Sequence, residues 1–236
     1  MSEVKWIDKY LSKPLSKLLV RVDDDFLTSH FNYYGLKTKV NNFQKAYELI
    51  TNGIVVESPS KNKATTFTES ASESNINPNT TMEQDEKDGS SDIEESAANL
   101  YGLIHARFIQ KSRGLQLMHE KFKKGDFPCC PRYYCKSFLL PFGEEEEELG
   151  QDVRWYCPVC NDVYAIDRIY NNGEDIPDYS DSDGGFFGHS WVYLFRQKYV
   201  SEIAPKGPIK VYVPRIFGFP ISHPKDSSSD DNSESA

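Results

Sequence analysis

The sequence predicts an α+β protein: an all-helical N-terminal domain, then a four-cysteine zinc-ribbon β domain, then an extended C-terminal docking tail. Three observations lead there. Apolar residues recur at helical spacing in several segments of residues 1–125. All five cysteines lie between positions 129 and 160, four of them as two short hooks. Prolines at 205, 208, 214, 220 and 224 punctuate the tail, which still carries two apolar runs, Ile209-Lys210-Val211-Tyr212-Val213 and Ile216-Phe217-Gly218-Phe219, able to dock on something.

The helices come first. Trp6, Ile7, Tyr10, Leu11, Leu15, Leu18 and Leu19 have mostly helical spacing, and Pro14 interrupts it, predicting a short helix followed by an extended segment. Asp23-Asp24-Asp25 precedes Phe26, Leu27 and Phe31; acids at a helix start complement its dipole and cap its amides, and Gly35 ends this second helix. Val40, Phe43, Ala46, Tyr47 and Ile50 predict a third, stopping at Asn52-Gly53. Residues 57–90 are rich in Ser, Thr, Asn, Glu and Lys, too polar to offset their ordering entropy, and are expected to be a disordered insertion. Ser91-Asp92-Ile93-Glu94 has the form of a capping box. Ile93, Ala97, Leu100, Tyr101, Ile104 and Phe108 then line one face of a long helix. Gly102 and Ala106, four apart, would admit another helix closely. Gly114 is expected to break this helix, and Leu115, Met118 and Phe122 form one more, ended by Gly125. His105 and His119 read as surface or satisfied core histidines.

The ribbon, residues 126–200, makes the firmest demand. Cys130 and Cys135 have four residues between them, Cys157 and Cys160 two, and the hooks are 21 residues apart. Each hook turns two thiolates toward one point, and the spacer folds as a short hairpin, which is what a tetrahedral zinc site needs. Four cysteines complete the set, so the expectation is one structural Zn2+ per chain with no open position for chemistry. A redox Cys-x-x-Cys at 157–160 would need a strand and a helix in an α/β pattern, which is missing. Cys130, like Cys157, precedes a proline, so Cys130 is taken as the ligand and Cys129 as a thiol beside the site. Glu144 to Glu148 read as a solvated loop; Trp155-Tyr156 and Val163-Tyr164 read as strands. Residues 171–185 are polar loop. The aromatic residues 186–195 pack back on the zinc layer, as helix or strand. A docking segment, residues 201–223, and a disordered acidic tail, residues 224–236, complete the chain.

Composition narrows the function. A length of 236 residues fits one or two domains, with 38% hydrophobic residues and a net charge of −9. That acidic balance argues against a nucleic-acid binder and for protein partners. No apolar run approaches the ~20 residues of a membrane span and no signal peptide opens the chain, so the expected location is cytoplasm and nucleus, where thiols stay reduced. No Walker loop, Gly-x-Gly-x-x-Gly or His-Arg-Asp catalytic loop occurs, and no catalytic residues are assigned. Arg132 and Arg154 are too few to drive nucleic-acid binding by counterion release. Tyr133, Tyr134, Trp155, Val159 and Val163 fit instead an apolar interface patch. The residues alone thus describe a zinc-stabilised, oligomeric interaction module; the alternative is a zinc-ribbon module that binds nucleic acid.

Longer blocks carry a resemblance. Leu100-Tyr101-Gly102-Leu103-Ile104-His105-Ala106-Arg107-Phe108-Ile109, Arg113-Gly114, Gly125-Asp126-Phe127, Cys130-Pro131-Arg132-Tyr133-Tyr134-Cys135, Tyr156-Cys157-Pro158-Val159-Cys160 and Asp162-Val163-Tyr164 closely resemble the regulatory beta subunit of casein kinase II. Trp6-Ile7, residues 22–26, Phe31-Asn32 and Gly35-Leu36 are similar to that family's N-terminal domain, and Val213-Pro214-Arg215-Ile216-Phe217-Gly218-Phe219 to its C-terminal docking segment. The resemblance implies a homodimer packed through the zinc ribbons that carries two catalytic alpha subunits. The resulting serine/threonine kinase phosphorylates protein substrates at sites followed by acidic residues, and the beta subunit regulates without catalysing. It implies Cys130, Cys135, Cys157 and Cys160 as zinc ligands and Pro131, Tyr133 and Val163 as dimer contacts, Tyr133 standing where valine is common. It implies Phe217 and Phe219, with Arg215 and Tyr212, as catalytic-subunit contacts. Ser2, Ser227 and Ser228 stand in acidic contexts as phosphorylation candidates. The family's acidic loop after the third helix is replaced here by residues 53–58 and the polar insertion, leaving Glu144 to Glu148 as the substitute acidic surface.

Overall fold

The structure, a computed structural model, describes residues 3–56, 85–165, 170–171, 174–175, 179, 182–203 and 212–221. Strand β1 (Glu3–Lys5) leads into α1 (Trp6–Leu11), whose Trp6, Ile7 and Tyr10 are buried. Pro14 starts a 3₁₀ turn, Pro14–Leu18, rather than only interrupting a helix, and the chain then runs extended to α2 (Asp24–Thr28). That helix stops at Thr28, not at Gly35; a second 3₁₀ turn, His30–Tyr33, follows, and Gly35 adopts φ 81 to start a third. Helix α3 (Phe43–Asn52) delivers β2 (Ile54–Val56), which pairs antiparallel with β1. The N-terminal part is therefore not purely helical.

The centre is α4 (Asp85–Ile109). Its Leu100, Tyr101, Leu103, Ile104, His105 and Ala106 are all fully buried. Consecutive buried positions mean burial all round the helix, not on one face. Two expectations are corrected here. The helix begins at Asp85, so residues 85–90 are not part of a disordered insertion; residues 57–84 lie outside the described residues. Ser91 consequently sits inside the helix and cannot be its N-cap. The neighbour admitted by Gly102 is also different: it is no helix but Phe186, whose ring lies where a Cβ would come within 2.0 Å.

Helix α5 (Ser112–Lys124) follows after a corner. Gly114 does not break α4; it lies within α5, where a Cβ would meet the Phe108 carbonyl oxygen at 2.2 Å. The lack of a side chain lets the two helices turn tightly. Gly125, at φ 79, ends α5, and the Asp126 N–H closes back on the Lys121 carbonyl at 3.1 Å.

Strands β3 (Leu140–Phe142), β4 (Arg154–Cys157) and β5 (Asp162–Tyr164) form one antiparallel sheet in that order. Short strands β6 (Tyr170–Asn171) and β7 (Glu174–Asp175) pair with each other. A 3₁₀ turn, Gly184–Phe186, precedes α6 (Ser190–Ile203), so the aromatic stretch after 186 resolves as a helix. Trp191, Val192, Phe195, Tyr199 and Ile203 are its buried side, and the Trp191 indole N–H donates to the Pro141 carbonyl at 3.0 Å. Buried apolar residues from Trp6 to Ile203 make one continuous core. Strands β8 (Arg215–Ile216) and β9 (Phe219–Pro220) close the described chain as a hairpin. No helix of the described residues is long and apolar enough to cross a membrane.

Candidate metal centre and C-terminal hairpin

Two chain reversals build the cysteine cluster. In the first, the Leu139 N–H donates to the Pro128 carbonyl at 2.7 Å and the Cys130 N–H to the Ser137 carbonyl at 2.8 Å. The Cys135 N–H then donates to the Arg132 carbonyl at 2.9 Å, curling residues 130–135 into a hook. In the second, β4 and β5 are joined through Asn161, which takes the left-handed φ of 56 that asparagine tolerates. Its N–H donates to the Cys157 carbonyl at 2.9 Å, and its side chain accepts from the Tyr156 hydroxyl at 2.8 Å. An ion pair between Arg132 and Asp162, at 2.7 Å, ties one hook to the other.

The sulfurs of Cys130, Cys135, Cys157 and Cys160 all lie within 4.8 Å of one another. Cys130 to Cys160 is 3.9 Å and Cys135 to Cys157 is 3.6 Å. A Zn–S bond of about 2.3 Å in a tetrahedron implies sulfur–sulfur edges of about 3.8 Å, so the four residues fit a tetrahedral metal ion. Burial pushes the Cys157 thiol well up and the Cys135 thiol up to about 11. Cys160 goes the other way, held below the ordinary thiol range by its neighbouring cysteines and Arg132 against its own burial, and a metal cation in the cluster would deprotonate the coordinating thiols. The Cys160 N–H donates to the Cys157 sulfur at 3.3 Å and the Tyr164 hydroxyl lies 3.7 Å from the Cys130 sulfur, an outer shell of donors to that charge. Cys129 is outside the cluster, and its backbone bridges to Phe138.

Around the hooks, Pro131, Tyr133 and Val163 are exposed, Tyr133 by 74%. The C-terminal hairpin turns on Phe217 and Gly218, both with positive φ, 48 and 87. Positive φ at both central residues is the two-residue turn that suits strand twist; glycine accepts it freely, and a phenylalanine there is uncommon. The turn lifts Phe217 to 95% exposure and Phe219 to 76%. Tyr212 and Arg215 are exposed beside them, and Arg215 donates to the Gly218 carbonyl at 3.0 Å. Phe217 and Phe219 thus do not cover their own fold. Ser2, Ser227 and Ser228 lie outside the described residues.

The glutamate run is not a free acidic display. Glu147 accepts from Arg107 Nε and Nη2 at 2.6 and 2.7 Å, and Arg107 also donates to the Asn32 carbonyl at 2.6 Å. Glu146 accepts from the backbone N–H groups of His189 and Ser190, at 3.0 and 2.6 Å, and so caps α6 from a distance. Glu144 pairs with Arg154 and Glu148 with Lys39. These contacts join α4, the ribbon loop and α6. Asp183 organises the same region by accepting from Gly150, Gln151 and Gly185 N–H groups. Neither role has a sequence signature, because every partner is more than 30 residues away apart from Gly185 and Arg154. His105 and His119 behave as core groups. His105 is fully buried, its Nε2 accepting from the Val20 N–H at 3.1 Å and its Nδ1 facing the Phe186 carbonyl at 2.7 Å. His119 stacks on Tyr199 at 3.7 Å and meets Glu202 at 3.2 Å.

Comparison with known proteins meets this geometry. The family described as Casein kinase II regulatory subunit matches residues 5–220. Casein kinase II subunit beta-2 of Neurospora crassa is 32% identical over 217 residues, which is 92% of this chain and 64% of that protein. Casein kinase II subunit beta' of Drosophila melanogaster is 33% identical over 223 residues, 94% of this chain and 85% of that protein. The beta subunit of Schizosaccharomyces pombe is 32% identical over 217 residues, covering 92% and 78%. The chain thus spans slightly less than two thirds of the Neurospora protein and more of the other two. A four-cysteine cluster suited to a metal ion and a match running from residue 5 to residue 220 place this chain in the casein kinase II regulatory subunit family.

Proposed function

We propose that this chain is the non-catalytic beta subunit of a casein kinase II holoenzyme. Cys130, Cys135, Cys157 and Cys160 hold one structural Zn2+ that locks the two hooks together; four thiolates leave it no open position. Pro131, Tyr133 and Val163 face a second copy of the chain. Phe217 and Phe219, flanked by Arg215 and Tyr212, enter an apolar groove on the catalytic subunit. The dimer carries two catalytic subunits, stabilises them and biases them toward serines and threonines followed by acidic residues. Its work belongs to the cytoplasm and nucleus, where the thiolates stay reduced.

The observation that carries this reading is the exposure of Phe217 and Phe219 on an ordered turn. Phenylalanines this exposed bury little apolar surface in their own fold, whereas aromatic anchors buried in a partner's pocket each contribute about 2 kcal/mol or more to binding. The test is a pull-down with the catalytic subunit, comparing wild type with Phe217→Ala plus Phe219→Ala. Loss of recovery in the variant is expected; equal recovery would overturn the docking role.

A further inference from the structure

Two strands of two residues each are too small to hold a hairpin in water. Within residues 212–221, Arg215 donates to Gly218, and the Ile221 N–H donates to the Pro214 carbonyl at 2.8 Å. Among the described residues, no hydrogen bond or ion pair joins this segment to the rest of the chain. One ring contact does: Tyr212 lies against Tyr133, with centroids 6.0 Å apart and planes inclined at 60°. Tyr133 in turn meets Tyr134 edge-on at 4.8 Å. Both tyrosines project from the hook between Cys130 and Cys135, whose shape is fixed by the Cys135 N–H on Arg132 and by the Arg132–Asp162 ion pair.

We infer that Tyr133 and Tyr212 form an aromatic bridge that seats the C-terminal hairpin on the first cysteine hook, making Tyr133 a positioning residue for the catalytic subunit. The inference rests on the docking role proposed above for Phe217 and Phe219. Tyr212 is one residue before Val213-Pro214 and the hairpin, so a fixed Tyr212 ring limits where Phe217 and Phe219 can travel. A hairpin held in its binding position loses less freedom on docking and binds more tightly, without any new contact to the partner. The bridge also links two surfaces that are otherwise separate, the ribbon face and the docking tail, through one side chain.

The experiment measures affinity of the full-length chain for the immobilised catalytic subunit by interferometry, alongside zinc content and sedimentation velocity. Tyr133 is mostly exposed in the single chain, so its replacement leaves the core intact; because it also belongs to the proposed contact with a second copy, valine, the residue common there in the family, is the replacement and sedimentation is read for every variant. Tyr133→Val and Tyr212→Ala are each expected to weaken binding between about twofold and tenfold, the worth of an aromatic pair. Tyr133→Phe, which keeps the ring, binds like wild type. The double variant Tyr133→Val plus Tyr212→Ala is no weaker than the worse single variant, because both remove one contact. Zinc content stays unchanged throughout, and affinities are compared at concentrations at which each variant sediments as wild type does. Wild-type affinity in Tyr133→Val, with Phe217→Ala plus Phe219→Ala still defective, overturns the bridge and leaves the docking role standing. Additive losses in the double variant, or a loss that follows dissociation of the dimer, also overturn the bridge. A wild-type chain that does not bind the catalytic subunit overturns the docking role and the bridge together.

Discussion

Replacing His105 by leucine removes a polar bolt at the centre of the fold. The ring is fully buried on α4 and spans two segments far apart in sequence. Its Nε2 accepts the Val20 N–H and its Nδ1–H donates to the Phe186 carbonyl. That pattern requires the neutral ring with its proton on Nδ1. Leucine fills similar space but strands one buried donor and one buried acceptor, each costing about 1–3 kcal/mol. The expected loss of stability at pH 7.5 is therefore about 4 kcal/mol. The same burial holds the His105 pKa down to about 4. An unfolded histidine titrates near 6.5, so between pH 6.5 and 4 the unfolded chain binds a proton that the folded one does not, and stability falls as pH falls. At pH 5 this costs the wild type about 2 kcal/mol, a cost the leucine variant lacks. Urea denaturation of both proteins at pH 7.5 and pH 5 should show the gap between them narrowing from about 4 to about 2 kcal/mol. Comparing the two proteins cancels the titration of the other histidines and of the cysteines. A gap that stays constant with pH would refute the neutral-bolt assignment, and a gap under about 1 kcal/mol at pH 7.5 would refute the hydrogen-bond argument.

Other perturbations test the joints around it. Glu147→Gln breaks the two-pronged pairing with Arg107, half-buried on both sides, and should cost about 2 kcal/mol in urea melts, less in high salt; an unchanged midpoint would show the pair to be a surface ornament. Arg107 also holds the Glu147 carboxyl below the ordinary glutamate range, so this contribution is complete above that range and is lost as pH falls through the depressed value. Gly114→Ala drives a Cβ toward the Phe108 backbone, which cannot swing aside as a side chain can, and should cost about 2 kcal/mol, read as a lowered Tm. Cys157→Ser should abolish bound zinc, measured by elemental analysis, and with it the dimer; a metal-free variant that sediments as a dimer would separate the ribbon from assembly.

Elements set by local pattern were legible in the sequence. The α3 periodicity from Phe43 to Ile50, the glycine stop at 125 and the strand pairs flanking Cys157 stand where spacing puts them. The four cysteines were legible for the same reason, since two short hooks leave their sulfurs few other places to meet. What escaped depends on partners distant in sequence. Residues 85–90 carry no apolar signal of their own, yet extend the helix that begins at Asp85. Gly114 looks like a breaker until the Phe108 carbonyl beside it shows why a side chain is excluded. Phe217 at positive φ contradicts local preference, so no propensity argument could have placed it on the turn.

The glutamates at 144–148 form the loop that composition suggests, with Glu144, Glu145 and Glu148 exposed, but composition is silent on their partners. Five acids in a row suggest a solvated, repelling loop able to stand in for a missing acidic surface. In the fold each of four carboxylates has its own address: Arg154, the α6 N-terminus, Arg107 and Lys39. The run is stable because the positive groups arrive from separate elements and neutralise it one residue at a time. A carboxylate engaged by a half-buried arginine or by backbone amides is costly to withdraw for a passing cation, because the group left behind loses its partner. Charge-neutral replacement of this run should therefore lower stability before it alters binding of a basic peptide. A chain whose melting point ignores those substitutions while its binding of a basic peptide disappears would restore the acidic-surface role.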